Sequence, residues 1–488
     1  MKKITLLFIA LVGLLFLPFA SLSVRSEEVR FVDGSLIIAQ FTDLHWDARS
    51  RKKQKTEAIL RSVVNQEQPH LIVLTGDIVT TSPAEKGWLE LLAILNDLKT
   101  PFMVTLGNHD TEVLAGDKIF SLLASNSPYF IGTNYERDID GYGNMVLPIK
   151  GAKGDATALL YFFDSHSSEP NPLLGTYQKI QWNQIEWYRN RSREFSASSP
   201  NETPIPALAF FHIPLQEYAL LKGDTKTYGN WQEGISSAGI NSGLFSSFID
   251  MGDVMGMFVG HDHVNDFIGI HMGIAMAFGR NSGADAYGNF VRGGRIIKLY
   301  EGERKFDTWI TTPEGREPAY YYPSGLNAHA ESEMAYSASK DLAQVLPGVS
   351  YTYYEGAFKS VEEFKEDHEV SHGVCSNFDI SLAPKQDHFG YQFNTFIYIP
   401  ERGVYRFYTY SDDGSVLYVD DQLVVDNDGG HSARRREGMI ALEQGYHHLR
   451  LLYFEDYMGE ILEVGIVGRN LPERPLQEED LFIQSGSK

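Results

Sequence analysis

The sequence contains one cysteine, Cys375, among 488 residues. One cysteine cannot form an intrachain disulfide, a cysteine-based zinc site or an iron–sulfur cluster. Any metal site in the chain must therefore use His, Asp, Glu, Asn or Tyr side chains. Basic residues are also few, because 42 Lys and Arg stand against 64 Asp and Glu and give a net charge of -22. Since non-specific binding to nucleic acids depends on basic surfaces, we predict no nucleic-acid partner.

Long apolar runs are equally scarce, and the one that could approach a membrane span lies near Met1. Two lysines precede an apolar run at residues 4–20, and the small residues Ser21 and Ser23 follow it. This order is typical of a secretory signal peptide, and the run is near the short end of what a membrane span requires. An uncleaved membrane anchor is the alternative. We predict a signal peptide at residues 1–23 and, after its removal, a secreted or periplasmic protein without a transmembrane span.

The length of the chain exceeds that of one ordinary domain, and its pattern changes along the sequence. Between residues 24 and 312, short apolar runs alternate with helix-like stretches. Residues 53–66 and 86–98 are predicted helices, and Leu89 is placed on the buried face of the second. This alternation predicts an α/β layered domain. The predicted strands are residues 36–41, 71–74, 102–106, 159–163, 207–211 and 255–259.

The later part of the chain has a different pattern. Residues 394–410 and 415–425 alternate polar and apolar side chains, with Gly and Asp at the turns. This pattern predicts antiparallel strands of an all-β sandwich at residues 347–475. Residues 313–346 between the two domains contain prolines and a run of three tyrosines, and are predicted to be a linker or an irregular strap. The predicted fold is thus an α/β (α+β) domain followed by an all-β sandwich.

Five of the predicted strands end in side chains that can bind metals. Functional sites of α/β domains gather where loops leave the carboxyl ends of strands. Residues two apart in an extended segment point the same way, so Asp43 and His45 could reach one ion together. His261 and His263 share a side in the same manner and could each reach a different ion. Glycines are expected to allow sharp turns at three of these strand ends; they are Gly76, Gly107 and Gly260.

The donors at these strand ends are carboxylate and amide oxygens and imidazole nitrogens, without thiolate. Such ligands suit Fe, Zn or Mn rather than copper(I) or a sulfur cluster. Taken singly, the motifs at Asp43 and Asp77 are more typical of turns, and those at Asn108 and His261 are as typical of a turn or polar loop as of a metal site. Seven donors that follow strands in order favour two ions bridged by a carboxylate, since they exceed what one tetrahedral ion binds. The seven are Asp43, His45, Asp77, Asn108, His212, His261 and His263.

These motifs together resemble those of the calcineurin-like metallophosphoesterase superfamily, over roughly residues 36–310. The resemblance implies a four-layer sandwich of two mixed β-sheets flanked by helices. It also implies two sites for transition metal ions that share one bridging carboxylate. The first ion would be held by Asp43, His45, Asp77 and His263, and the second by Asp77, Asn108, His212 and His261.

The same resemblance implies the reaction, which is hydrolysis of a small phosphoester by attack of a metal-bound hydroxide. His109 matches the superfamily's histidine that is not a ligand, and Asp110 matches its carboxylate partner. A protonated His109 held by that carboxylate would donate a proton to the leaving alkoxide. Asn108, His109 and His212 are the expected substrate-binding residues.

Further stretches resemble one branch of the superfamily. Residues 184–187 and 212–214 are similar to those of secreted phosphatases related to the purple acid phosphatases. Purple enzymes place a tyrosine ligand of iron(III) three residues after the bridging aspartate, and this chain has Thr80 at that position. An obligatory iron(III) ion is therefore not expected, and the two ions are predicted to be Fe, Zn or Mn.

Residues 347–472 resemble the protective-antigen-like β-sandwich domain, which is attached to many glycosidases, adhesins and toxins. The likeness lies in residues 410–415 and 353–356. In sugar-binding members an Asp pair binds calcium, which holds sugar hydroxyls, and Asp412 and Asp413 match that pair. The oxygen-rich loop suits calcium, so the resemblance implies a calcium ion and a glycan partner. The alternative for Asp-Asp-Gly is an ordinary hairpin turn.

Three functions are compatible with the sequence. The first is a secreted phosphomonoesterase with an appended carbohydrate-binding or spacer domain. The second is a phosphodiesterase or nucleotidase that uses the same metal site, and the third is a non-catalytic carbohydrate-binding surface protein. Because every ligand position and His109 are filled, we predict an enzyme, a metal-dependent phosphoric ester hydrolase acting on monoesters.

Overall fold

The computed structural model describes residues 29–485. The predicted signal peptide at residues 1–23 lies outside the described residues. Within residues 29–485, no helix combines the length and the apolarity that a membrane crossing requires.

The first domain alternates strands and helices, as its apolar runs predict. Its strands are β1 (Ser35–Phe41), β2 (Leu71–Thr75), β3 (Phe102–Thr105), β4 (Met145–Lys150), β5 (Ala156–Phe162), β6 (Ala207–Phe210), β7 (Val254–Val259), β8 (Ile268–His271), β9 (Ile274–Phe278), β10 (Gly294–Tyr300) and β11 (Phe306–Thr312). Its helices are α1 (Lys53–Glu67), α2 (Ala84–Leu98), α3 (Asp110–Val113), α4 (Gly116–Asn126), α5 (Trp182–Ser198) and α6 (Leu244–Met251). All six predicted strands are present, with ends that differ by at most three residues from the prediction.

The remaining elements are short strands, one helix and a series of longer strands. The strands are β12 (Gly315–Arg316), β13 (Tyr320–Tyr322), β14 (Leu326–Asn327), β15 (Tyr336–Ser337), β16 (Val345–Pro347), β17 (Val349–Glu355), β18 (Glu369–Cys375), β19 (Phe389–Ile399), β20 (Gly403–Asp412), β21 (Ser415–Val419), β22 (Gln422–Asn427), β23 (Arg434–Leu442), β24 (Gly445–Glu455), β25 (Ile461–Gly468), β26 (Arg474–Pro475) and β27 (Leu481–Gln484). The helix is α7 (Ala328–Glu333).

Two mixed sheets form the centre of the first domain. The first has the order β14-β13-β11-β10-β1-β2-β3, with β12 paired to β11, and the second has the order β4-β5-β6-β7-β9-β8. In the first sheet β1, β2 and β3 are parallel, and in the second β5, β6 and β7 are parallel. Because β1 also pairs antiparallel with β10, and β4 with β5, both sheets are mixed.

The two sheets pack face to face and are covered by helices on their outer faces. Ile38 and Val73 of the first sheet share a core with Phe162 and Phe210 of the second. Helices α1, α2 and α4 pack on the other face of the first sheet, and α5 and α6 pack on the second. The predicted four-layer sandwich is therefore confirmed.

One residue of helix α2 does not lie where the sequence placed it. Leu89 is 43% exposed, whereas Trp88, Leu91, Leu92 and Leu95 are buried. The buried residues follow the i, i+3, i+4, i+7 spacing of one helical face, which begins at Trp88. The placement of Leu89 on the buried face was wrong by one residue.

The second domain is a sandwich of two sheets whose strands are antiparallel, except that the short edge strand β15 pairs parallel with β23. One has the order β15-β23-β20-β25-β26, and the other β16-β27-β19-β24-β21-β22, with β17 paired to β19 and β18 to β17. Tyr391 and Phe393 from the second sheet share a core with Phe407 and Ile466 from the first. The predicted all-β sandwich is confirmed.

The segment predicted as a linker or strap, residues 313–346, forms short strands that join both domains. β13 pairs with β11 of the first domain, and β15 pairs with β23 of the second. The three tyrosines of β13 explain this, because side chains alternate along a strand. Tyr320 and Tyr322 are buried in the core between the first domain's sheets, and Tyr321 packs with Val404 and Ala441 of the second domain.

Candidate dinuclear metal centre

The five polar motifs of the first domain meet at one edge of the packed sheets. The motifs that begin at Asp43, Asp77 and Asn108 follow β1, β2 and β3, which are parallel neighbours. His212 follows β6, and the motif that begins at His261 follows the neighbouring β7. The carboxyl ends of five strands from two sheets therefore supply one site, as is usual for α/β domains.

The candidate ligands form two clusters that share one carboxylate. Asp43, His45, Asp77 and His263 offer ligand atoms that all lie within 4.8 Å of one another. Asp77, His212 and His261 form the second such group. Asp77 Oδ2 lies 3.6 Å from His45 Nε2 and 3.5 Å from His212 Nε2. A single carboxylate oxygen therefore stands between the two clusters.

The buried side-chain atoms that have no hydrogen-bond partner within residues 29–485 include Asn108 Oδ1, His212 Nε2 and His261 Nε2. Buried polar atoms are normally paired, and an unpaired one is costly. Each of the three belongs to a candidate ligand, and amide oxygen and imidazole nitrogen bind Fe, Zn and Mn. The residues of this site therefore fit two metal ions.

Hydrogen bonds to two threonines orient two of the four candidate ligand histidines. His212 Nδ1 donates to the Thr75 carbonyl at 2.8 Å, which leaves Nε2 directed at Asp77. His45 Nδ1 is hydrogen-bonded to Thr80 Oγ1 at 3.1 Å. Thr80, at the position where purple enzymes carry a tyrosine, thus supports a ligand through its hydroxyl. Such partners fix the ring orientation of metal-binding histidines.

The backbone at four candidate ligands is left-handed rather than extended. The φ angles are 53° at Asp43, 43° at His45, 50° at Asp77 and 79° at His261. The side chains therefore meet through tight turns. The extended conformation that was predicted at Asp43, His45 and His261 was wrong. Non-glycine residues in this region cost about 1–3 kcal/mol each and concentrate at functional sites.

The three glycines serve two purposes. Gly76 has φ +83° and makes the sharp turn that was expected. Gly107 and Gly260 do not have positive φ, so the turns that follow them do not require the left-handed conformation of glycine. A Cβ on Gly260 would lie 1.9 Å from Thr42 Oγ1, and one on Gly107 would lie 2.2 Å from the Asp77 nitrogen. These two glycines allow neighbouring strand ends to approach closely.

The predicted pairing of Asp110 with His109 is not what the structure shows. Asp110 is fully buried, and its carboxylate accepts hydrogen bonds from the backbone nitrogens of Ile78, Val79 and Gly107 at 2.8–2.9 Å. Asp110 is the first residue of α3, and its side chain points inward to amides of the loops that follow β2 and β3. Asp110 thus ties the loop after β2 to the loop after β3.

The carboxylate partner of His109 is Glu112. His109 Nδ1 lies 2.8 Å from Glu112 Oε2, and the backbone nitrogen of His109 donates to Asp77 Oδ1 at 2.9 Å. Partial burial disfavours the charged imidazole, but the Glu112 hydrogen bond and the charge of Asp77 outweigh it and raise the pKa of His109 above its ordinary value. The His109 side chain is 45% exposed, so its ring is accessible from solvent at the edge of the ligand clusters.

Charges differ among the buried ligands. Burial lowers the pKa of His45 to about 4 and that of His261 to about 3, so both rings are neutral near pH 7. Burial also disfavours charge on His212, but Asp77 outweighs it and raises the pKa of His212 to about 10. Neutral imidazoles bind metals directly, whereas a protonated one must first release its proton.

In the second domain, Asp412 and Asp413 lie close to Glu455, and the three offer ligand atoms within 4.8 Å of one another. The hairpin alternative for Asp412 and Asp413 is wrong, because β20 and β21, which flank them, belong to different sheets. The Asp-Asp-Gly segment carries the chain from one sheet to the other. Glu455 is fully buried, and its Oε1 has no hydrogen-bond partner in the described part of the chain.

Several site residues were missed by sequence reasoning. Glu112 follows His109 by three residues, and this spacing on a helix was a usable signal. Glu455 comes from a distant strand, and no local pattern indicates it. Two tyrosines flank the metal cluster: Tyr177 lies edge-on to His261 with centroids 4.6 Å apart, and Tyr287 stacks on His263.

Comparison with known proteins agrees with this geometry. Residues 36–265 match the calcineurin-like phosphoesterase family, and residues 346–468 match the PA14 domain. The chain is 32% identical to "Probable inactive purple acid phosphatase 29" of Arabidopsis thaliana, over 62% of this chain and 87% of that protein. "Probable inactive purple acid phosphatase 28" of the same plant is also 32% identical, over 57% of this chain and 78% of that protein.

A fungal relative carries a different description. "Phosphatase DCR2" of Saccharomyces cerevisiae is 28% identical, over 48% of this chain and 45% of that protein. The site geometry, the family match and the long alignments with the plant proteins lead to one conclusion. The chain belongs to the calcineurin-like phosphoesterases related to purple acid phosphatases, and it carries a C-terminal PA14 domain.

Proposed function

We propose that the protein is an exported dinuclear-metal phosphoesterase that hydrolyses small phosphomonoesters. The observation that supports this most directly is the pair of ligand clusters joined by Asp77, with buried donor atoms left unpaired on Asn108, His212 and His261. Two bound ions supply charge neutralisation for the phosphoryl oxygens and activation of the attacking water. Export is proposed from the lysine-flanked apolar run at residues 4–20.

The first ion is assigned to Asp43, His45, Asp77 and His263, and the second to Asp77, Asn108, His212 and His261. Both groups place hard oxygen and imidazole donors around one shared carboxylate. This donor set suits Fe, Zn or Mn. Thr80 is hydrogen-bonded to His45 at the position where purple enzymes use a tyrosine ligand, which supports a metal site that does not require iron(III).

His109 is proposed as the proton donor to the leaving alkoxide. Its ring lies 6.1 Å from the His45 ring, at the exposed edge of the cluster, and Glu112 favours its protonated form. A histidine whose pKa lies near the working pH is suited to this role. Asn108 and His212 are proposed to contact the substrate phosphate beside the ions. Asp110 has a structural task and takes no part in the proton transfer.

The descriptions of the plant relatives as inactive make catalysis the part of the proposal to be tested. The features that support activity in this chain are the six candidate ligands that meet in the two clusters, the unpaired buried Asn108 Oδ1, and the His109–Glu112 pair. A scaffold that had lost catalysis would be free to lose such residues, because left-handed ligands and unpaired buried atoms destabilise a fold.

Two variants test the assignment. We expect His109→Ala to lower kcat by about a hundredfold to ten-thousandfold and to keep both metal ions, because general acid catalysis contributes this much. Asp77→Ala should lose metal as well as activity, since it removes the shared ligand. Hydrolysis of nitrophenyl phosphate and elemental analysis measure the two effects.

His372→Ala serves as the control, because His372 is an exposed histidine in β18 of the second domain and lies outside the ligand clusters. Unchanged turnover in both His109→Ala and Asp77→Ala would contradict the site. Faster hydrolysis of bis(nitrophenyl) phosphate than of the monoester would show that the enzyme is a phosphodiesterase and not a phosphomonoesterase.

For the second domain we propose a calcium-dependent glycan site at Asp412, Asp413 and Glu455. The supporting observation is the unpaired Oε1 of the buried Glu455 beside two carboxylates. Burial, followed by the charge of Asp413, raises the pKa of Glu455 to about 7, and a cation would favour its ionised form. Carboxylate oxygens are the ligands that calcium prefers.

Calcium titration of the full chain tests this site. We expect Glu455→Gln and Asp413→Asn to weaken calcium binding by about tenfold or more, because affinity follows the number of charged ligands. Asp426→Asn, at an exposed position of β22, is the matched control. If the unaltered chain binds no calcium, or if Asp426→Asn has the same effect, the cluster is a structural feature of the loop. A glycan array with and without calcium then identifies the sugar.

A further inference from the structure

His263 differs from the two histidines that threonines orient. His212 and His45 each have a hydrogen bond from Nδ1, to Thr75 and Thr80. His263 Nδ1 is buried and has no hydrogen-bond partner within residues 29–485. Its Nε2 lies 3.3 Å from Asp43 Oδ1, in the first ligand cluster. Nε2 also lies 3.2 Å from His45 Nε2, so both polar contacts of the ring are at its metal-facing end. The rest of the ring must be held by something other than a hydrogen bond.

Tyr287 supplies that contact. Its ring stacks on the His263 ring with centroids 4.0 Å apart and planes inclined by 26°. The ring is in turn fixed at its far end, because the Tyr287 hydroxyl donates to Glu233 Oε2 at 2.9 Å. An anchored aromatic face restricts rotation of the imidazole that lies against it.

Glu233 also holds the backbone next to His263. Its second oxygen, Oε1, accepts a hydrogen bond from the Val264 nitrogen at 2.8 Å. The Glu233 backbone is fixed as well, because its nitrogen donates to Asn265 Oδ1 at 3.1 Å and its carbonyl accepts from Asn265 Nδ2 at 3.3 Å. Asn265 is fully buried. One carboxylate thus links the ring above His263 to the peptide that follows it.

We propose that Glu233 and Tyr287 are positioning residues that hold His263 in place for the first metal ion. Neither residue belongs to the ligand set, and both come from loops outside the five metal-binding motifs. The inference rests on the proposed function, since it assumes that His263 is a ligand. It adds that His263, one ligand of the first ion, is held by a stacked tyrosine, whereas His45 and His212 are held by hydrogen bonds from Nδ1.

The consequence is selective loss of one ion. Removing an outer partner of a ligand histidine usually costs about 10–100-fold in metal affinity. Tyr287→Ala should therefore weaken one of two zinc sites by about that factor and leave the other unchanged. Tyr287→Phe keeps the stacked ring and should retain most of the affinity. Glu233→Gln loses the charged anchor, and its zinc affinity should lie between those of Tyr287→Ala and Tyr287→Phe.

The experiment is zinc titration of the metal-free full-length chain against a chromophoric chelator, with thermal melting of the same metal-free samples. The control is Tyr398→Ala, which removes a half-exposed tyrosine of the second domain. A positioning role predicts unchanged melting of the metal-free variants together with the loss of affinity at one site. Equal weakening of both sites, or a lowered melting temperature with no change in affinity, would overturn it.

The outcome is separable from that of the proposed function. An unaltered chain that binds two zinc ions without hydrolysing phosphoesters would contradict the phosphatase proposal and leave the positioning test valid. An unaltered chain that binds no metal would contradict both. Two-site binding that is indifferent to Tyr287→Ala and Glu233→Gln would contradict the positioning role alone.

Discussion

At the scale of single residues, the carboxylate adjacent to His109 in sequence and the carboxylate adjacent to it in space are different. Asp110 turns inward and pairs three backbone amides, whereas Glu112 lies one helical turn away and meets the His109 ring. Side chains three residues apart share a helix face, and neighbours in sequence do not. Asp110 therefore holds the two loops together, and Glu112 is the carboxylate placed to favour a proton on His109.

A prediction for Glu112 follows from this division. Glu112→Gln removes a charge that raises the pKa of His109, so that pKa should fall in the variant. A general acid must be protonated, and its activity is lost as the pH rises through its pKa. The alkaline limb of the kcat/KM profile should therefore move to lower pH, while the metal content stays the same. A pH series with nitrophenyl phosphate measures the shift.

Glu85→Gln is the control for Glu112→Gln, because Glu85 is an exposed carboxylate at the start of α2 that pairs with Lys118 rather than with His109. Its profile should match that of the unaltered chain. An alkaline limb that stays in place in Glu112→Gln would show that His109 is not the titrating acid.

At the scale of secondary structure, the strands and helices of the first domain could be predicted because their periodicity is strong. Buried strands read as short apolar runs, and α1 and α2 carry apolar stripes. The order of ligands after successive strands then placed them at one edge of the sheets. The one-residue error at Leu89 arose because Trp88 was not counted in the stripe.

What the sequence could not predict was the backbone conformation at the ligands. Asp43, His45 and His261 adopt left-handed turns, and nothing in their residue types requires this. Such conformations persist only when surrounding contacts fix them, and those contacts come from distant strands. The same limit applies to Glu455, which lies beside Asp413 because β24 pairs with β21, and this pairing joins strands that are distant in the sequence.

At the scale of the whole molecule, residues 313–346 attach the two domains to each other. Arg406 of β20 is 1% exposed and donates from Nη1 to the Ser324 carbonyl at 2.7 Å and from Nη2 to the Gly325 carbonyl at 3.2 Å. Its Nε lies 3.4 Å from Glu437 Oε1. A charge buried in this way requires its partners, so the guanidinium joins the second sandwich to the strand that extends the first sheet.

The chain length predicts two domains, but the contacts between them show that they are not independent. Tyr321 and Leu326 of the connecting segment share an apolar cluster with Val404 and Ala441 of the second domain. Lys226 of the first domain lies 3.5 Å from Glu473 of the second. Apolar burial and paired charges along one seam favour a fixed arrangement over a flexible tether.

Arg406→Met tests how much this attachment contributes. The substitution leaves the Ser324 and Gly325 carbonyls without their buried partner, and a buried acceptor without a partner costs about 1–3 kcal/mol. We expect denaturant unfolding to show a loss of about this size, with the second domain unfolding before the first. The exposed Arg402→Met removes an ion pair with Glu443 and should cost less than about 1 kcal/mol. Equal effects of Arg402→Met and Arg406→Met would contradict the role of the seam.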